Sequence, residues 1–154
     1  MRLASDVDIY FMRLALEEAM KAAEMGEVPV GAVIVDAAGE VVARGCNLRE
    51  TRHDVTAHAE MVALREANAR LGRWRLEGCV LYVTLEPCPM CAGAIVQSRL
   101  DRLVYGAPDF RMGGCESLLN IPGQPRLNPR TRVTAGVLEE ECRAVLQAFF
   151  RARR

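Results

Sequence analysis

Apolar positions recur at helical spacing near both ends of the chain and form short unbroken runs in its middle. Ile9, Met12, Leu16, Met20 and Ala23 share one face of a predicted first helix, with Glu17, Glu18, Lys21 and Glu24 on the other. Ser5 is a candidate N-cap, Asp8 sits near the positive end of the helix dipole, and Gly26 ends the helix. Residues 30–35 are apolar and β-branched and read as a buried strand. Asp36-Ala37-Ala38-Gly39 is a turn signal, and residues 40–44 read as the antiparallel return. Residues 45–55 are polar and irregular.

Thr56 is a plausible N-cap for a second helix over 57–70, packed through Ala59, Val62, Ala63 and Ala67 and stopped by Gly72. A second buried strand is predicted over 79–85. A third helix follows over 89–98, with Ala92, Gly93 and Ala94 small enough for close packing, and then a strand at 103–105. Strand, helix and strand at this spacing predict a right-handed parallel crossover. Residues 106–131 are dense in glycine and proline and read as one long loop with a helical turn around Leu118. A short strand at 133–134 precedes an amphipathic helix over 138–151, with Leu138, Cys142, Val145, Leu146 and Phe149 on one side and Arg151, Arg153 and Arg154 at its end. No repeat or linker interrupts the chain, so residues 1–154 are expected to form a single domain.

Composition changes this picture little. Hydrophobic residues at 51% and charged residues at 26% are ordinary for a globular protein. The formal net charge is zero, which neither requires nor excludes a basic patch for nucleic acid. No apolar run approaches the roughly 18–20 residues that span a bilayer, so no membrane contact is expected. No secretory leader pattern opens the chain, and the 6 cysteines do not read as a disulfide framework. A cytoplasmic location follows as the default expectation.

The candidate chemistry lies in two short stretches, His58-Ala59-Glu60 and Pro87-Cys88-Pro89-Met90-Cys91. One imidazole and two thiolates are three good zinc ligands, and three protein ligands leave a position for water, as catalytic zinc sites do. Glu60 is placed to move protons on and off that water. Taken alone, His58 reads as a hydrogen-bonded helix residue, and Cys88 with Cys91 reads as a redox pair or half of a structural zinc site. A structural site needs a fourth ligand, yet His53 is the only other histidine and Cys46, Cys79, Cys115 and Cys142 are isolated. Both motifs fall at predicted helix N-termini, where backbone N–H groups favour thiolates.

The sequence resembles the TadA-type tRNA adenosine deaminases, nearly end to end. The likeness runs through Glu27-Val28-Pro29-Val30-Gly31-Ala32-Val33, Asn47, Arg52-His53-Asp54 and Thr56-Ala57-His58-Ala59-Glu60. It continues through Leu81-Tyr82-Val83-Thr84-Leu85-Glu86-Pro87-Cys88, Met90-Cys91-Ala92-Gly93-Ala94 and the stretch from Gly136 to Arg151. The resemblance implies an α/β fold, the three-layer α/β/α cytidine-deaminase-like fold with a mixed sheet of about five strands, as a homodimer. It implies one Zn2+ per chain on His58, Cys88 and Cys91, with Glu60 as the catalytic proton carrier that converts wobble adenosine to inosine. It also implies that Asn47 bonds the flipped nucleoside and that Asp109, Phe149 and Arg153 contact the tRNA anticodon stem-loop. From the residues alone, Asn47 also reads as a turn residue and Phe149 as a core residue. Val55, Glu116 and Pro129 depart from the proline, glycine and histidine usual in that family. A deaminase of a free nucleobase or nucleoside uses the same zinc chemistry, and a zinc-binding partner subunit without activity has no need of Glu60.

Overall fold

The computed structural model describes residues 5–127 and 131–153, so the readings at Pro129 and Arg154 lie outside it. Its elements are α1 (Asp6–Glu24), β1 (Gly31–Val35), β2 (Val41–Cys46), α2 (Ala59–Leu71), β3 (Val80–Leu85), α3 (Pro89–Gln97), β4 (Arg102–Ala107), β5 (Arg132–Ala135) and α4 (Glu139–Ala152). The strands form one mixed sheet in the order β2-β1-β3-β4-β5. β1 runs antiparallel to β2 and β3, while β3, β4 and β5 run parallel. The parallel pair β3 and β4 brackets α3, as the crossover pattern predicted.

Alternation along the strands builds two cores, because successive side chains leave opposite faces of a strand. Ala32, Ile34, Leu81, Val83 and Leu103 pack with Ala59, Ala63, Ala67, Ala92 and Ile95 under α2 and α3. Val33, Val35, Tyr82 and Val104 pack with Phe11, Met12 and Ala15 of α1 and Cys142 of α4 on the other face. The result is the expected α/β/α arrangement. Small residues bring α2 close to the sheet: a Cβ on Gly45 of β2 would lie 2.5 Å from the Ala59 carbonyl oxygen.

Several local readings shift. The buried line of α1 runs through Phe11, Met12, Ala15, Ala19 and Ala22, so Met20 is exposed rather than packed. Alanines at 15, 19 and 22 let the helix lie low on the sheet, which turns the bulkier Met20 outward. Ser5 caps α1 as expected, accepting the Asp8 N–H at 3.0 Å. Asp8 itself is buried, accepting Arg102 at 2.7 and 2.8 Å and the Tyr82 hydroxyl at 2.8 Å. Glu18, expected on the solvent face, is also buried and pairs with Lys21 at 2.6 Å. On α4 only Cys142 is fully buried, so the predicted apolar face is a shallow contact. No described helix is long and apolar enough to cross a membrane.

Candidate active site

The second helix begins two residues later than Thr56 predicts. Thr56 spends its hydroxyl on Asp54 at 2.7 Å, and His58 takes the N-cap position with extended backbone, φ −71° and ψ 156°. Cys88 does the same for α3, at φ −70° and ψ 172°. An N-cap side chain ordinarily bonds the first free N–H groups of its helix. Neither residue makes that bond, so the imidazole and the thiol are turned toward each other. Pro89 at the start of α3 supplies a fixed φ and needs no N–H partner. Cys91, on the first turn of α3, and Glu60, on the first turn of α2, complete the group.

His58 Nδ1 lies 3.6 Å from Cys88 Sγ and 3.5 Å from Cys91 Sγ. Zinc bonds of about 2.3 Å to sulfur and 2.05 Å to nitrogen, at a tetrahedral angle, put the two ligand atoms about 3.5 Å apart. The donor set therefore fits zinc in type and spacing. Among the described residues His58, Cys88 and Cys91 are the group whose ligand atoms converge, all within 4.8 Å of one another. The hydrogen bond from Cys91 pulls the Cys88 thiol down to about 4 against its burial. Cys91 is pushed far up, by that same bond and then by burial, and His58 is raised by its bond to Cys88. The three groups thus hold protons among themselves that a divalent cation would displace, which leaves both sulfurs as thiolates.

Glu60 is buried, and that burial lifts its carboxyl to about 7, against its own backbone N–H and the nearby His58. A carboxyl near neutrality can both accept and release a proton. His58, Glu60 and Cys88 line one cavity of about 390 Å³, together with Val28, Asn47, Leu85 and Asp109. That volume lies within the range for small-molecule sites. Sequence comparison matches the description "cytidine and deoxycytidylate deaminase zinc-binding region" to residues 5–107, which contain every one of these ligands.

The chain belongs to the cytidine and deoxycytidylate deaminase family. Within it, a tRNA-specific adenosine deaminase of Bacillus subtilis (strain 168) is 55% identical over 148 residues, covering 96% of this chain and 91% of that one. A solved structure from a study of A-to-I editing by tRNA:A34 deaminases superposes with TM-score 0.85 at 47% identity, over 89% of this chain and 99% of that one. The guanine deaminase of Nitrosomonas europaea superposes with TM-score 0.81 at 26% identity, over 97% and 86%.

The remaining predicted residues of the deaminase divide into two places. Asn47 and Asp109 line the cavity, and the exposed Val55 stands at its edge. Asn47 also behaves as a turn residue: its carbonyl accepts the Arg49 N–H at 3.2 Å and its amide donates to Val28 at 3.3 Å. Phe149 and Arg153 do not line the cavity. They stack on each other, guanidinium over ring at 3.9 Å, and Arg153 donates to the Gly26 carbonyl at 3.1 Å.

The spacing of the motifs passes over two buried carboxylates that hold the loops around the cavity. Glu27 accepts the Glu50 N–H at 3.1 Å and the Thr51 N–H and hydroxyl at 2.6 Å each. Glu86 accepts from Asp109, Cys115, Glu116 and Ser117. The sequence signal was a charged residue one or two positions before a proline (Glu86-Pro87, Glu27-Val28-Pro29) at the margin of an apolar run. Such a residue is rarely buried unless it is paired. Glu116, the departure from the family's glycine, gives its backbone N–H to Glu86 at 2.8 Å and is itself exposed.

Proposed function

We propose that residues 1–154 form one deaminase domain that hydrolyses adenosine to inosine and ammonia at the wobble position of tRNA, acting in the cytoplasm as a homodimer. His58, Cys88 and Cys91 would hold the zinc. Zinc on a three-ligand set supplies Lewis acidity toward water, bringing its pKa toward neutrality. Glu60 moves the protons: it takes one from water, delivers it to the ring nitrogen, and assists the departure of the amine as ammonia. Low exposure around Glu60 keeps bulk water from competing for those protons. Asn47 and Asp109 meet the nucleoside and the loop that carries it, and Phe149 and Arg153 lie toward the RNA.

The observation that carries this reading is the shared cavity. One space is lined by two of the three proposed zinc ligands, His58 and Cys88, with an acid near neutrality and a turn amide, at a size suited to a single nucleoside. The choice of RNA over a free base is supported by the higher identity to tRNA-specific deaminases than to a guanine deaminase. The test is inosine formation in an anticodon stem-loop with adenosine at its wobble position, run beside guanine, cytosine and free adenosine. Inosine in the RNA and no turnover of free bases is expected. Turnover of guanine with the RNA untouched would replace this substrate with the free base.

A further inference from the structure

We propose that Glu86 is a positioning residue: its carboxylate fixes the 108–117 loop as a wall of the cavity and thereby sets substrate affinity, not the rate of the chemical step. The inference rests on the deaminase reading above for its substrate, and on the following geometry for its substance.

Glu86 leaves the carboxyl end of β3, is 2% exposed, and gathers donors from residues 23 to 31 positions away. Oε1 accepts the Asp109 N–H at 3.0 Å and the Ser117 hydroxyl at 2.5 Å. Oε2 accepts the N–H groups of Cys115 at 3.2 Å, Glu116 at 2.8 Å and Ser117 at 2.9 Å. A carboxylate offers about four lone-pair sites, so these donors saturate it. It has nothing left for a substrate or a metal, although it borders the cavity. Its influence must pass through the loop.

That path is short. Asp109, held by its N–H to Glu86, accepts the N–H groups of Arg111 and Met112 on its own Oδ1, each at 3.1 Å. Asp109 and Met112 both line the cavity. Gly113 packs against the carboxylate so closely that a Cβ there would overlap it, and the Gly114 N–H bonds the Pro87 carbonyl at 2.7 Å. One buried side chain therefore ties down a turn that Asp109 also closes locally, its backbone carbonyl accepting the Gly113 N–H at 2.8 Å, and that turn carries Asp109 and Met112 to the cavity wall.

The two oxygens separate the roles experimentally. In Glu86→Gln, a carbonyl in place of Oε2 keeps the three N–H groups of 115–117, and the amide can donate to Ser117. The Asp109 N–H then faces another donor and is released. We expect KM for the stem-loop to rise about tenfold, the size of one hydrogen bond to a charged group. We expect kcat within about threefold, zinc content unchanged, and faster hydrogen exchange at the Asp109 amide while 115–117 stay protected. Gly113→Ala, which crowds the carboxylate without altering it, is expected to raise KM in the same way and carries the test if Glu86→Gln does not fold. A fall in kcat at unchanged KM, a parallel loss of zinc, or unchanged KM and exchange would each overturn the inference. A wild-type protein inactive on RNA would instead overturn the substrate assignment, and amide exchange would still decide the role of Glu86.

Discussion

Glu60 and Glu86 are the same residue type, buried to the same degree at 3% and 2% exposure, and the fold drives them in opposite directions. Glu60 lies at the start of α2 with few donors, and burial lifts its carboxyl to about 7. Glu86 lies under a loop that turns its N–H groups inward, and the bonds from Ser117, Glu116 and Asp109 outweigh its burial and hold it below the usual carboxylate range. Desolvation penalises the charged form in both; only the supply of donors differs. A carboxylate starved of donors stays able to exchange a proton, while one saturated with them becomes a structural anchor. The contrast teaches that burial alone does not mark the catalytic acid.

The largest expected effect removes the setting in which Glu60 acts. Cys88→Ala takes away one of three zinc ligands, and metal analysis should show zinc falling from about one equivalent to a small fraction, with turnover lost. Retention of a full equivalent would mean that the ligand set is wrong.

Next in size, Glu60→Ala should keep zinc and fold and lose roughly 10²–10⁴-fold in kcat, the usual contribution of a general acid/base. Activity within about tenfold of wild type would assign the proton transfers to another group and erase the difference between the two glutamates.

Glu27 sharpens the comparison without touching the chemistry, because it too is buried and rich in donors. Its carboxyl is held below the ordinary value of 4.5; bonds from Thr51 and Glu50 outweigh its desolvation. A lowered folded pKa gives stability that is present above the unfolded value and is lost as pH falls through the folded one. Glu27→Gln should therefore cost about 1–3 kcal/mol near neutral pH. Thermal melts of the two proteins should converge as pH drops below about 4.5. A constant gap across that range would show that Glu27 acts by shape alone.

The smallest effect is expected outside the cavity. Arg153→Ala removes a guanidinium from the Phe149 ring and should flatten the slope of log affinity for RNA against log salt by about 0.7 per lost phosphate contact. Turnover at saturating RNA should change little. An unchanged slope would remove Arg153 from the RNA-facing side.

The sequence alone picked out His58, Cys88 and Cys91 as candidate ligands, Glu60 as the candidate proton carrier, and the order of helices and strands. These are local facts: His58 and Glu60 are two positions apart, Cys88 and Cys91 three, and each strand is a contiguous apolar run. What only the tertiary structure decided is what each remote partner does. Thr56 looked like a cap because its type favours one, but Asp54 engages it and His58 takes the cap position. Met20 matched the helical period, yet alanines closer to the sheet fixed which face of α1 went inward. Glu86 was legible as a motif residue and illegible as an anchor, since its donors come from a loop more than twenty positions away. Spacing fixes which side chains can meet within one turn or one strand; the meeting of distant groups depends on packing, and packing decides which buried carboxylate keeps its proton.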